Sequence, residues 1–238
     1  MCEVFDMVKQ TEYPIYFADD LIAIYTAFKQ EIFSSGSVLY PSCGYDASPA
    51  RVFDKVMFVD KEDGNEGCVS QLQKAGLNAI KQDIREYDPS EKHDLLILLN
   101  PAIPVSWATP HLISGGYVIA NNYHGSATSL YTNQDEFLLW GTMDFLKKDS
   151  RKNDFRVNIS RDLTDLFQPV KDGEEFRSVN PDGYEFIHGL VEHFIKQGIL
   201  QVESDLTFEQ KWEAYRNLMD EKEMPYRRVA ERYIFMKR

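Results

Sequence analysis

Apolar positions in the first half of the chain follow two spacings, one typical of helices and one typical of buried strands. Between residues 19 and 33 they recur mostly every three or four residues, which predicts a helix. The same spacing returns at 69–75. Five short apolar runs each predict a strand: residues 37–40, 55–60, 78–83, 94–99 and 117–120.

The order of these signals predicts the fold class. The run at 94–99 is almost purely aliphatic, which suits a central parallel strand covered on both faces. Residues 110–113 indicate a helix end, and 114–116 a glycine turn before the fifth strand. Parallel neighbours need long connections, which helices supply. The sequence therefore predicts an α/β fold of the Rossmann-like type, with a mostly parallel sheet and helices on both faces.

The second half of the chain has a looser pattern after Asn122. Helical spacing returns at 185–197 and 208–219, and the run at 233–236 predicts a final edge strand. We expect a single domain over 1–238. Its parts are a core at 19–146, a surface insertion or lid at about 147–183, and C-terminal helices with an edge strand at 184–238.

The composition predicts a folded chain that repels polyanions. Among the 238 residues are 13 Tyr and 15 Phe, whose burial can offset the conformational entropy lost on folding. The formal net charge of −12 argues against nucleic acid as a partner. Five basic residues near the end of the chain are interpreted as a solvated face: Arg227, Arg228, Arg232, Lys237 and Arg238.

The cysteines and the hydropathy of the chain indicate the cellular compartment in which we expect the protein. Cys2, Cys43 and Cys68 are odd in number and widely separated, which fits neither a disulfide framework nor a Cys-x-x-Cys metal site. Residues 1–10 lack the regions of a signal peptide, and no run approaches the roughly 20 apolar residues of a membrane span. We expect a cytoplasmic protein without a membrane partner.

Glycine and polar residues follow the predicted strands, where the ligand crevice of an open parallel sheet lies. The segment Pro41-Ser42-Cys43-Gly44-Tyr45-Asp46 follows the first strand, while Asp60 and Asp83 end the second and third. Asn100-Pro101 follows the fourth strand and Asn121-Asn122-Tyr123-His124 the fifth. Helix capping or solvation explains a single Asp as well as ligand binding does, so the shared register of the two carries the site prediction.

The run Val38-Leu39-Tyr40-Pro41-Ser42-Cys43-Gly44 is an apolar strand that enters a glycine-bearing loop. It resembles the first motif of the class I S-adenosylmethionine-dependent methyltransferases, and the resemblance extends over residues 37–122. It implies S-adenosylmethionine as cofactor, with Ser42 and Gly44 beside it. It further implies that Asp60 binds the ribose hydroxyls and that Asp83 reaches the adenine amino group.

The same loop departs from the family pattern at three positions. Tyr40 stands where the family usually has an acidic residue, and Ser42 and Asp46 stand where it has glycines. Glycine permits a left-handed backbone and a close approach to a ligand. These departures keep open a second reading, in which the chain is a catalytically inactive methyltransferase-like binding or scaffold protein.

Two residues are candidates for work on a methyl acceptor. Asn100 begins a segment that resembles the Asn-Pro-Pro-aromatic signature of amino-methylating enzymes, although a strand-terminating turn explains it too. His124 lies at the predicted mouth of the crevice, where a neutral imidazole can accept a proton. His188 and His193 are five residues apart, which does not match a helical metal pair, and no metal site is predicted.

The function predicted from sequence is S-adenosylmethionine-dependent methyl transfer to a small-molecule or protein substrate, with the inactive binding protein as the alternative. Methyl transfer rests on bringing two groups into line, which explains why no catalytic triad is present. A nicotinamide-dependent oxidoreductase shares the strand-loop-helix arrangement and the acidic residue after the second strand. The absence of Gly-x-Gly-x-x-Gly argues against that third reading.

Overall fold

One sheet of eight strands organises the computed structural model, which describes residues 14–62, 67–122, 125–149, 154–164, 166–167, 191–192, 195, 200–203, 205–218 and 230–238. The strands are β1 Val38–Pro41, β2 Val56–Asp60, β3 Ala79–Lys81, β4 His93–Leu98, β5 Leu112–Ala120, β6 Phe137–Asp149, β7 Asp154–Ser160 and β8 Arg232–Lys237. Their order across the sheet is β3-β2-β1-β4-β5-β8-β6-β7.

Helices connect the strands and cover the sheet. The described helices are α1 Asp19–Glu31, α2 Cys68–Lys74, α3 Val105–Ala108, α4 Ser126–Thr132 and α5 Phe208–Leu218. Single 3₁₀ turns at Ser48–Arg51 and Thr109–His111 complete the described connections. Most of the helix predicted at 185–197 lies outside the described residues. Within the described part of the chain, no helix combines the length and the apolar character that crossing a membrane requires.

Strands β3, β2, β1, β4 and β5 run parallel to one another, as the aliphatic runs predict. Their side chains alternate between two cores. Val38, Phe58 and Leu95 belong to the core on the α1 face, whereas Leu39 and Leu96 belong to the core on the opposite face. Where both faces are covered, as at β1, β2 and residues 95–98 of β4, the strand residues are apolar and polar residues collect at the strand ends. The predicted Rossmann-like α/β fold is confirmed.

Strand β5 begins earlier than the sequence predicts. The predicted helix end at 110–113 falls on a 3₁₀ turn that ends at His111, but the glycine turn predicted at 114–116 is wrong, because the strand starts at Leu112 and runs through both glycines. An irregularity in the pairing with β4 accommodates the extra residues. A Cβ on Gly116 would stand 2.9 Å from the carbonyl oxygen of Asp94, so glycine here permits a close approach between strands.

The position of β8 corrects a second prediction. Strand β8 lies inside the sheet and pairs antiparallel with both β5 and β6, so the predicted edge position is wrong. Ile234 and Phe235 point to opposite cores, and both are fully buried. An apolar run without alternation is the pattern of a strand covered on both faces, which is how this run should have been read.

The predicted surface insertion or lid at 147–183 starts within a strand. β6 extends to Asp149, and β7 returns antiparallel to it and forms the edge of the sheet. Polar and charged residues such as Lys147 and Asp154 occupy these strands, as befits an exposed edge. The part of the predicted insertion beyond residue 167 lies outside the described residues.

A buried aromatic cluster lies near the start of β4. The Tyr87 hydroxyl and His93 Nε2 are 2.9 Å apart, and the His111 ring packs edge-on against Tyr87. His111 Nε2 donates to the carbonyl oxygen of Ile84 at 3.0 Å. Burial lowers the pKa of His93 and of His111 below the usual 6.5. The fold therefore favours both imidazoles in the neutral form.

We expect acid to destabilise the protein through this cluster. An unfolded histidine takes up a proton near pH 6.5 and the folded one only at lower pH, so the free energy of unfolding falls as pH drops below 6.5. His93→Gln keeps a polar partner for Tyr87 but cannot be protonated, and it should flatten the dependence by up to about 1.4 kcal/mol per pH unit. Urea unfolding between pH 7 and 5 measures both slopes. Equal slopes would contradict the role of His93.

Candidate functional site

A crevice opens at the carboxyl ends of β1, β4 and β5. Its volume is ≈ 360 Å³. The lining residues come from the loops after these strands, the start of α1 and the start of β8: Tyr16, Ala18, Asp20, Leu21, Tyr40, Ser42, Cys43, Gly44, Asp46, Leu99, Asn100, Ala102, Asn121 and Arg232. Crevices at this edge of a parallel sheet are the usual ligand sites of such folds. The fold therefore brings three of the predicted site residues together at this crevice: Ser42, Gly44 and Asn100.

The loop after β1 has a left-handed backbone at two positions. Gly44 has φ 53° and Ser42 has φ 52°, so Ser42 adopts a conformation that glycine would adopt at lower cost. Two hydrogen bonds hold Ser42 there. Its N–H donates to the carbonyl oxygen of Val59 at 2.8 Å, and its Oγ accepts from the N–H of Ala102 at 2.9 Å. The loop thus keeps a glycine-like shape and is tied to the loop after β4.

Asp60 closes the loop from the end of β2. Its carboxylate accepts the N–H of Gly44 at 2.8 Å and the N–H of Glu62 at 2.6 Å, and the side chain is buried. These are charge-assisted bonds to backbone donors, which are stronger than neutral ones. Asp60 is not among the residues that line the crevice. Its carboxylate fixes the position of Gly44 in the structure.

Asp83 lies farther along the same edge and is held by cations. The Arg85 side chain donates to both carboxylate oxygens, at 3.0 and 2.6 Å, and Lys61 Nζ lies 3.9 Å away. The hydrogen bonds from Arg85 lower the pKa of Asp83 to about 2. The Arg85 guanidinium also stacks 4.1 Å from the centre of the Trp107 ring. Asp83 is therefore ionised and paired, and it does not line the crevice.

Asn100 and Asn121 form a pair between the loops after β4 and β5. The Asn121 side chain accepts the backbone N–H of Asn100 at 3.1 Å and donates to the Asn100 side-chain oxygen at 2.6 Å. Asn100 has φ 51° and is exposed, whereas Asn121 is buried. The buried amide thus fixes the exposed one at the crevice wall.

A second polar network was not foreseen as part of the site. The buried Asp46 carboxylate accepts from the Tyr40 hydroxyl at 3.0 Å, from the Ser48 N–H at 2.8 Å and from the Ser48 hydroxyl. Burial raises the pKa of Asp46, and the bonds from Ser48 and Tyr40 only partly offset this effect. Tyr40 and Asp46 are two of the positions at which the loop departs from the family pattern. Those departures were the sequence signal for the network.

Arg232 on β8 is a further site residue that sequence reasoning missed. It lines the crevice with a side chain only 13% exposed, so the prediction of a solvated face for the basic residues near the end of the chain is wrong at this position. Lys237 on the same strand is likewise half-buried and donates to the carbonyl oxygens of Thr109 and Leu112. The signal available was the apolar run between these two residues, which marks an interior strand with charged ends.

The remaining residues considered from the sequence are either buried or lie outside the described residues. His124, the second catalytic candidate, lies outside the described residues, as do His188 and His193. Cys43 is buried beside Gly44, and burial raises the pKa of its thiol. A thiol with a raised pKa is a weak nucleophile, which agrees with its interpretation as a packed loop residue.

Solved structures similar to this chain include several methyltransferases. An amino pentose methyltransferase from Micromonospora echinaspora is 16% identical, with a TM-score of 0.37 over 44% of this chain and 50% of that one. The N-methyltransferase NodS from Bradyrhizobium japonicum, in complex with S-adenosylhomocysteine, is 12% identical, with a TM-score of 0.40 over 58% and 82%. A possible histamine N-methyltransferase from Thermotoga maritima is 12% identical, with a TM-score of 0.42 over 59% and 83%.

The likeness is one of fold. The chain spans half the length of the amino pentose methyltransferase. No family model and no curated protein matches this sequence.

Replacing Asp60 should loosen the loop that borders the crevice. Asp60→Ala leaves the N–H groups of Gly44 and Glu62 without their acceptor, and we expect the free energy of unfolding to fall by about 1–3 kcal/mol. Asp60→Asn keeps one acceptor oxygen but sets its NH₂ group against the other N–H, so it should also destabilise the protein. Urea unfolding measures both, with Asp54→Ala as the control because that side chain is 94% exposed. Unchanged stability in Asp60→Ala would show that the loop does not depend on this carboxylate.

Proposed function

We propose that this protein is an S-adenosylmethionine-dependent methyltransferase that acts on a small molecule. The observation that carries the proposal is the crevice at the carboxyl ends of β1, β4 and β5, bordered by the left-handed loop of Ser42 and Gly44. Ligands of open α/β sheets bind at this edge. A volume of ≈ 360 Å³ lies within the range for small-molecule sites, about 300–1,000 Å³, as the binding of a nucleoside cofactor requires.

The residues present fit a nucleoside cofactor in three respects. Gly44 brings backbone without a side chain to the crevice, and Ser42 keeps the same left-handed shape. Asp60 is a buried carboxylate at the end of the adjacent strand, the chemistry that ribose hydroxyls require. Arg232 lines the crevice, and its buried Nε has no hydrogen-bond partner among the described residues. The site therefore has an unused hydrogen-bond donor for a ligand.

In this proposal Ser42 and Gly44 hold the cofactor within the crevice. Asp60 and Asp83 lie along the same edge outside the crevice lining, and they take the ribose and adenine roles that the family resemblance implies. When bound, the cofactor supplies a methyl group activated by a sulfonium. The Asp83 carboxylate has about four lone-pair sites and Arg85 uses three of them, which leaves one on Oδ2 for the adenine amino group.

The chain itself contributes mainly position and orientation. Asn121 fixes Asn100, whose amide is thereby held at the crevice wall to orient an acceptor. Holding two reacting groups in a near-attack geometry contributes about 7–11 kcal/mol in favourable cases, so few ionisable groups are required. His124 stays our candidate for accepting the acceptor's proton, by its position in the sequence after β5.

A binding protein without catalysis is the second candidate, and one observation favours it. Tyr40 and Asp46 both border the crevice, where they hydrogen-bond to each other. They narrow the space beside Gly44 with a buried phenol and a carboxylate. The crevice nevertheless keeps a volume of ≈ 360 Å³, and this space supports the methyltransferase over the inactive protein.

Calorimetry with S-adenosylmethionine and S-adenosylhomocysteine tests the proposal. We expect both to bind and Gly44→Ala to weaken binding at least about tenfold, because Gly44 lines the crevice and a side chain strains a residue with positive φ. Gly76→Ala is the matched control. Gly76 also has positive φ, but nothing lies within 4 Å of the added Cβ and the residue does not line the crevice.

Two outcomes separate the candidates. Absence of heat and of any thermal shift at millimolar nucleoside would leave the binding protein as the function. Nucleoside binding followed by transfer of a labelled methyl group to a fraction of small metabolites supports the methyltransferase. Label found only in macromolecules would indicate that the methyl acceptor is a protein.

A further inference from the structure

Arg232 stands across the crevice from the loop of Ser42 and Gly44. Strand β8 runs antiparallel to β5, and Tyr233 pairs with Ala120, so the first residue of β8 reaches the same edge as the ends of the parallel strands. Strands β4 and β5 separate β8 from β1. At the usual spacing of strands this is roughly 14 Å across the sheet. The hydrogen-bonded pair of Asn100 and Asn121 lies between Arg232 and the loop of Ser42 and Gly44.

The guanidinium of Arg232 is buried but incompletely paired. One terminal nitrogen donates to the carbonyl oxygen of Glu231 at 2.9 Å and lies 3.6 Å from the Glu231 carboxylate, which is 44% exposed. The Nε is buried without a partner among the described residues. A guanidinium carries five N–H donors in a planar fork. This fork therefore has donors to spare at the crevice.

The carboxylates nearby are committed to other groups. Asp20 lines the crevice and its charge interacts with that of Arg232, but the side-chain hydrogen bond to its carboxylate comes from Lys148 Nζ at 2.9 Å, and among the described contacts none joins Asp20 directly to the guanidinium. Asp46 is held by Tyr40 and Ser48. Among the residues that line the crevice, Arg232 is the one Lys or Arg side chain. A buried cation without a bidentate carboxylate retains a desolvation cost, and a bound anion would offset it.

We propose that the methyl acceptor carries an anionic oxygen group, a carboxylate or a phosphate, which Arg232 binds as the specificity-determining residue. The inference rests on the proposed function, in that acceptor and cofactor share this crevice. The Ser42 and Gly44 side of the crevice belongs to the cofactor in that proposal, so the opposite wall belongs to the acceptor. A planar fork matches the geometry of both anions.

Matched anionic and neutral probes test this assignment in the presence of saturating S-adenosylhomocysteine. We expect benzoate or phenyl phosphate to bind at least about tenfold more tightly than benzamide, because charge-assisted hydrogen bonds are roughly twice as strong as neutral ones. Arg232→Met keeps the apolar stem and should reduce the preference to less than about twofold without changing benzamide binding. Arg232→Lys should retain part of it, since the charge stays and the fork is lost.

Arg156→Met is the matched control, because its side chain is 72% exposed on the edge strand β7 and its removal should leave the preference intact. The tighter of the two anions identifies carboxylate or phosphate as the group recognised. Equal binding of benzoate, phenyl phosphate and benzamide, or a preference that survives Arg232→Met, overturns the inference. If Arg232→Met does not fold by circular dichroism, Arg232→Lys decides, and an undiminished preference in that variant overturns it.

The two proposals fail separately. Binding of S-adenosylhomocysteine without any preference for anions removes the role of Arg232 and leaves the methyltransferase proposal in place. A preference for anions that depends on Arg232 in a protein that binds no nucleoside removes the methyltransferase proposal, and the anion is then the ligand of a binding protein.

Discussion

Four consecutive aliphatic side chains in β4, from Leu95 to Leu98, are at most 1% exposed. They alternate between the two cores, so both faces of the sheet must be covered at this strand. Helices α1 and α2 cover one face and α3 and α4 the other, and β1, β4 and β5 run parallel between them. Parallel strands end at a common edge, and the crevice forms where the loops after β1, β4 and β5 meet. The burial of one strand therefore determines where a ligand can bind.

The crevice shows how a loop can keep its shape while its side chains change. Ser42 holds a left-handed backbone that costs roughly 1 kcal/mol for a residue other than glycine. Its bonds to Val59 and Ala102 offset that cost, and Asp60 fixes Gly44 from the adjacent strand. Ser42 and Asp46, which stand where the family has glycines, bring polar side chains to the loop. Asp46 places a buried carboxylate at one side of the crevice, and the strand at its other side contributes Arg232.

The sequence predicts the parallel half of the fold well because a doubly covered strand leaves a plain signal, a short aliphatic run with polar residues at its end. The same logic places Ser42, Gly44 and Asn100 at the crevice. It does not reveal that Arg85 pairs with Asp83, since that contact depends on the local turn. The hairpin of β6 and β7 is missed because its exposed face is rich in charge, which resembles a loop. The burial of Arg232 is missed because the neighbours of β8 are distant in the chain.

The place of β8 has a consequence for how the molecule assembles. β5 and β6 are consecutive in sequence, yet they do not pair with each other, and the gap between them is filled by Arg232–Lys237. Until those residues leave the ribosome, the nascent sheet exposes two unpaired strand edges, which are templates for intermolecular pairing. Synthesis proceeds at about 5–20 residues per second, so the interval between β6 and β8 lasts several seconds. The sheet is therefore completed last, when β8 joins the strand edges of β5 and β6.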